Sequence, residues 1–129
     1  WRSPRGRRPG PWTGGGPVRF GTGAQRGTGV GIFNDRFRGV VRGDLDGDAP
    51  GFAAGGGADP AALRRAFSGS PEIADTPAES VNYVSAHDNL TLRDKLARAL
   101  PSGLPDAEGR ALRLAHAAVL LAPGIAFLE

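Results

Sequence analysis

The chain has 129 residues, 40% of them apolar and 22% charged, which suffices for one globular unit with a real core and not for two. It contains no cysteine, so a disulfide framework and a thiolate metal site are both excluded. No apolar run reaches the ~18 residues of a membrane-spanning helix, and the N-terminus carries no apolar signal-peptide core.

Glycine and charge are unevenly spread. Of the 21 glycines, 17 fall in the first 60 residues. Residues 1–43 carry nine arginines against Asp35 alone, a net charge of +8, whereas residues 44–129 carry seven bases against twelve acids, a net −5. Arg2, Arg5, Arg7 and Arg8 are interleaved with Gly and Pro and have only Trp1 as an aromatic neighbour. That pattern reads as a solvated, disordered or artefactual leader over residues 1–9, with an Arg-driven nucleic-acid or anion-binding arm as the alternative. One lysine against fifteen arginines points to base-composition bias in the coding DNA. A first residue of Trp rather than Met leads us to expect a piece of a longer or processed chain, and it leaves the compartment open.

In chain order, residues 1–31 are predicted to be irregular, because their alternating glycines make a helix costly and weaken a strand. Residues 33–42 form an amphipathic segment with Phe33, Phe37 and Val40 or Val41 on one helical face and Asn34 as a plausible cap. Asp44, Asp46 and Asp48 follow. They lack the sixth-position Gly and closing Glu of a calcium loop, so a surface turn is expected. Asp59-Pro60 is a strong helix start for residues 61–67, ended by Ser68-Gly69-Ser70-Pro71.

Residues 81–86 are the best strand in the chain, with Val81, Tyr83 and Ser85 on one face and Asn82, Val84 and Ala86 on the other. Asn89 can cap a helix striped by Leu92, Leu96, Ala99 and Leu100. A longer helix over 106–121 ends apolar nearly all round, which predicts burial there. Pro123-Gly124 break it, and residues 125–128 read as a second strand. Two helical runs between these strands form a crossover, which implies parallel strands in an α/β fold. A complete (β/α)8 barrel takes ~250 residues, so this chain can supply only part of one.

His87, Asp88 and Asn89 follow the first of these strands. If it is a parallel barrel strand, they lie at the face where such barrels carry their chemistry. The plainer reading makes Asp88 or Asn89 a helix cap and His87 a loop residue. Two other arrangements fit poorly. A His-Asp metal site would need further ligands, and only His116 remains, in mid-helix. A Ser85-His87-Asp88 triad places Asp88 on the opposite side of the strand.

The run Val-Asn-Tyr-Val-Ser-Ala-His-Asp-Asn-Leu-Thr-Leu-Arg-Asp-Lys-Leu at 81–96 resembles the fourth signature region of the α-amylase clan, in particular the type I pullulanase branch of debranching enzymes. Three further stretches fit that branch in the same order. Gly-Pro-Trp-Thr-Gly-Gly at 10–15 resembles the segment that carries the general acid. Residues 29–38, with Arg42-Gly43, resemble the stretch after it. Residues 113–128 resemble the helix leading into the eighth strand.

The resemblance covers residues 10–129 and implies the C-terminal part of a (β/α)8 catalytic barrel, with residues 1–9 outside it. The implied reaction is retaining hydrolysis of α-1,6 branch linkages in pullulan, glycogen or amylopectin-type glucans, without cofactor or metal. By position, Asp88 matches the clan's transition-state-stabilising Asp. His87 matches a residue that binds hydroxyls of the same sugar, Asn89 would support a neighbouring subsite, and Trp12 matches an aromatic on which a sugar stacks. The implied partner is a branched α-glucan, neither nucleic acid nor membrane. The sequence departs from the pattern at Gly10, which stands where the acid is expected. The strand bearing the nucleophile, and the remainder of the barrel, are expected upstream of residue 1. Without them a chain of this length is expected to be inactive alone.

Overall fold

The computed structural model describes residues 21–103 and 105–129. Trp12, Gly10 and the arginines of residues 1–9 therefore lie outside the described residues.

Residues 21–31 run through turns, as their glycines require, and lead into a two-residue strand, β1 (Ile32–Phe33). Asn34 then starts helix α1 (Asp35–Arg42), its side-chain oxygen accepting the Phe37 amide at 2.9 Å. Asp35 in the first turn and Arg42 in the last both complement the helix dipole. Phe37 and Val41 point into the core, whereas Phe33 belongs to the strand and not to the helical face expected for it. A glycine at 43 is obligatory. Its φ is +100°, and a Cβ there would lie 2.2 Å from the Ala49 carbonyl oxygen.

Helix α2 (Pro60–Phe67) starts as its sequence predicts, with the Asp59 carboxylate accepting the Ala61 and Ala62 amides and Pro60 in the first turn. Strand β2 (Ser80–Asn82) is only three residues long, half of the run expected over 81–86. The sheet runs out first. Strand β3 (Ile125–Ala126) pairs only as far as Asn82, after which Tyr83 and Val84 are both buried and the in–out alternation is lost. Helix α3 (Leu92–Ala99) is capped by Thr91, whose hydroxyl accepts the Asp94 amide at 3.2 Å, and not by Asn89. Helix α4 (Ala107–Leu121) matches its prediction within a residue. Its far end does not, because Leu120 and Leu121 are 60% and 81% exposed. The face used for packing is Ala111, Ala115, Ala118 and Val119, and these leucines point away from it.

The three strands are parallel in the order β1-β2-β3, with Phe33 beside Val81 and Val81 beside Ile125. Helices α1 and α2 connect the first pair, α3 and α4 the second, as the crossover argument expected. One core joins all four helices through Phe37, Val41, Ala66, Leu96, Ala115 and Val119. Phe33, Val81 and Ile125 form a row on one face of the sheet, where Phe33 and Ile125 remain 49% and 46% exposed.

A fully buried polar cluster ties the strands to their connections. The Asn34 side-chain amide donates to the Ser70 and Ser80 hydroxyls at 2.8 and 2.9 Å. The Ser80 hydroxyl donates to Asn82 Oδ1, and Asn82 Nδ2 donates to the Pro123 carbonyl, each at 3.1 Å. Asn34→Ala removes a cap and leaves two buried hydroxyls short of a partner. It is expected to lower the unfolding free energy in urea by about 2–4 kcal/mol. A loss below ~1 kcal/mol, the size of an exposed cap, would show that the cluster carries no weight.

Candidate functional site

Beyond the C-terminal ends of the strands lies a cleft of about 310 Å³, lined by Phe33, Asp35, Arg38, Tyr83, Phe127 and residues 86–89. Each strand contributes. Phe33 is the last residue of β1, Tyr83 follows β2 and Phe127 follows β3. The rings meet edge to face, Phe33 to Tyr83 at 4.9 Å and Phe33 to Phe127 at 5.2 Å between centroids. Phe127 keeps 36% of its surface exposed, so the wall of the cleft is aromatic and open.

Tyr83 forms the polar floor. Its hydroxyl donates to Asp35 Oδ1 at 2.5 Å and accepts from Arg38 Nη1 at 2.6 Å. The Arg38 guanidinium carbon lies 5.3 Å from the Tyr83 ring centroid and its Nη1 3.5 Å from Asp35. Burial, reinforced by the hydrogen bond to the Asp35 carboxylate, pushes the phenol up to about 12. Tyr83 therefore stays a neutral donor whose proton is already committed to Asp35.

His87, Asp88 and Asn89 rim the same cleft. The His87 and Asp88 side chains are 90% and 72% exposed, and His87 Nδ1 lies 3.8 Å from Asp88 Oδ1. Neither residue caps α3, since Thr91 has that role. Among the described residues, no lysine or arginine forms an ion pair with Asp88, and its carboxylate faces the solvent of the cleft. Asn89 points elsewhere, its side-chain amide donating to Asp46 Oδ2 at 3.3 Å. The structure thus brings His87 and Asp88 together at a cleft. Asn89 is turned toward the 44–49 loop, and Trp12 lies outside the described residues. Among the described residues no group of three or more His, Cys, Asp or Glu is placed to hold a metal ion. His116 is half-buried on α4 and lines a separate depression that reaches His87 from the other side.

Sequence reasoning missed Phe33, Asp35, Arg38 and Phe127 as cleft residues. No local signal marks the two phenylalanines, since Phe127 sits inside an apolar run that continues to Leu128 and meets Phe33 only in the folded sheet. Away from the strand ends, a second depression of about 400 Å³ lies between α1 and α2, lined by Arg36, Asp59, Arg65 and Glu72 among others.

Tyr83 is the sole tyrosine of the chain, so phenolate absorbance reports it alone. Its native titration is expected to centre on about 12, against an unperturbed value near 10 in urea-unfolded chain. Because the folded value is the higher one, the stabilisation is complete below pH ~10 and lost as the pH rises through the folded value. A native midpoint near 10 would mean that the hydroxyl is neither buried nor bound.

No family model matches the chain. Individual proteins do. It is 39% identical to the pullulanase of Bacillus subtilis (strain 168) over 113 residues, 82% of this chain and 16% of that protein. It is 32% identical to pullulanase A of Streptococcus pneumoniae over 78% of its own length and 9% of the relative's. Among solved structures, a pullulanase from Bacillus acidopullulyticus superposes with a TM-score of 0.79 at 35% identity, over 84% of this chain and 14% of that one. A pullulanase from Anoxybacillus sp. LM18-11, crystallised with maltotetraose, gives 0.71 at 42% identity over 76% and 14%. The chain is therefore a homologue of pullulanases, corresponding to a segment that makes up 16% of the Bacillus subtilis protein.

Proposed function

We propose that residues 10–129 form the C-terminal portion of the (β/α)8 catalytic domain of a retaining α-1,6-glucan debranching hydrolase, with residues 1–9 as an Arg-rich leader outside it. The observation that carries this reading is the placement of His87 and Asp88. Both are exposed at the C-terminal edge of a parallel sheet, released from helix capping and set beside an aromatic wall. The open row Phe33–Val81–Ile125 supports the barrel, since an inward barrel face is apolar and filled by the remaining strands. The solved homologue crystallised with maltotetraose supports an α-glucan as the ligand.

In this reading Asp88 meets the positive charge that spreads over the sugar ring as the glycosidic bond breaks. Its carboxylate interacts more strongly with that oxocarbenium-like state than with the neutral sugar, so it lowers the barrier and does more than bind. His87 donates to hydroxyls of the same ring. Phe33 and Phe127 offer apolar surface to the hydrophobic face of a sugar. Trp12 is assigned a stacking role and Asn89 the support of a neighbouring subsite. Asn89 acts through Asp46, which holds its side chain.

The chemistry needs two carboxyl groups ~5–5.5 Å apart, one of them free to give a proton. Of the two carboxylates among the described residues that line the cleft, Asp35 is occupied by Tyr83 and Arg38. Gly10 stands where the resemblance expects the acid. The chain alone is therefore expected to release no reducing ends from pullulan, and measurable turnover would overturn this account of its missing partners. Within a complete barrel carrying Glu at position 10, Asp88→Asn is expected to cut kcat at least ~10²-fold, the scale of losing a transition-state charge partner. A near-normal rate would remove Asp88 from the mechanism.

A further inference from the structure

The segment from Tyr83 to Thr91 carries His87, Asp88 and Asn89, yet it contains neither helix nor strand. Its exposed tip needs fixed ends, because ordering a backbone costs conformational entropy. Arg42, only 1% exposed, holds both of them. Its Nη1 donates to the Val84 carbonyl at 3.0 Å, and its Nη2 donates to the carbonyls of Leu90 at 2.7 Å and Leu45 at 2.9 Å. A planar guanidinium spans the two feet with two separate nitrogens in a fixed fork, whereas an ammonium must gather every acceptor around a single nitrogen.

The cation is not needed for packing. Among the described residues it has no carboxylate partner, and its Nε is buried with no acceptor. Burial and the charge of Arg38 pull it below its ordinary value. An apolar side chain of similar volume would fill the space at less cost in desolvation.

A second buried cation braces the loop from its other side. Lys95, with a fully buried side chain, pairs with Asp44 and donates to the carbonyls of Gly47 and Ala49, both at 2.9 Å. These bonds shape the 44–49 loop. Its Asp46 carboxylate accepts the Leu90 amide at 3.1 Å and the Asn89 side chain at 3.3 Å. The 84–90 segment is therefore gripped through its carbonyls by Arg42 and through its amides by Asp46.

We infer that Arg42 and the Lys95-braced Asp46 form a positioning clamp, which sets where His87 and Asp88 stand over the cleft without touching ligand themselves; this rests on the glucan reading given above. Hydrogen exchange on the 129-residue chain reads the clamp through the Leu90 amide, and reads the sheet through the Asn34 and Phe127 amides. Arg42→Lys keeps the charge and loses the fork. It is expected to quicken Leu90 exchange about tenfold, the worth of one charge-assisted hydrogen bond, and to weaken maltotriose binding by a similar factor. Asn34 and Phe127 should exchange as in the parent chain, a pattern that a general loss of stability would not produce. Equal acceleration at all three amides, an unchanged Leu90, or faster exchange with undiminished maltotriose binding would each overturn the inference. If Arg42→Lys fails to fold, Asp46→Asn is read by the same exchange and binding criteria from the exposed side of the clamp. If the parent chain and His87→Ala show the same maltotriose titration, the glucan reading fails, and Leu90 exchange still decides whether the clamp exists.

Discussion

Asn34 is fully buried, and its one side chain serves a helix, a strand and a loop together. The oxygen caps α1, while the nitrogen reaches the hydroxyls of Ser70 and Ser80 and, at 3.4 Å, Asn82 Oδ1. Through Asn82 the cluster continues to the Pro123 carbonyl, just before β3. A sheet of strands two or three residues long has few ladder bonds of its own. Its register depends on this lattice of satisfied buried polar groups, which is costly to break because every member would be left dry and unpaired. The neighbours conform to it. Ser70 adopts a positive φ of 50°, and Gly124 leaves no room for a Cβ, which would sit 2.4 Å from Asn82 Nδ2.

Everything at the cleft is downstream of that register. With Phe33, Val81 and Ile125 aligned, the residues that follow each strand arrive at one edge: Tyr83 on Asp35 and Arg38, Phe127 on Phe33. The electrostatics divide by depth. Buried cations at Arg42 and Lys95 are spent on backbone carbonyls and on Asp44, whose carboxyl the Lys95 hydrogen bond holds below its usual range. At the mouth of the cleft the exposed Asp88 carboxylate is left without a strong partner. In the glycosidase reading proposed above, this distribution, with rigid charges inside and an available one at the mouth, is the one a developing cation would meet.

The helices were legible because their starts are chemical. Asn34, Asp59-Pro60 and the periodic alanines of α4 each state a boundary or a face. Thr91 was legible too, through the Thr91-x-x-Asp94 spacing of a capping box, but Asn89 competed with it as an equally good cap type. Strand β1 escaped because two apolar residues after Gly31 carry no period. The His87-Asp88 pair could be singled out from its place after a strand, whereas the aromatic wall could not, since Phe33 and Phe127 meet only after 90 residues of intervening chain have folded. Arg42 and Lys95 were hidden for a general reason. Single charges at a helix end or in a polar run read as solvated, and only packing reveals that one has been driven inside.

Lys95 is the single lysine of the sequence, and its ammonium group lies wholly within the molecule. The chain thus presents no side-chain amine to its surroundings while the 44–49 loop is closed. Acylating reagents that modify ordinary proteins at many points would meet only the α-amino group. The slow appearance of label at Lys95 would then count the openings of that loop, a clock for local unfolding built from one residue.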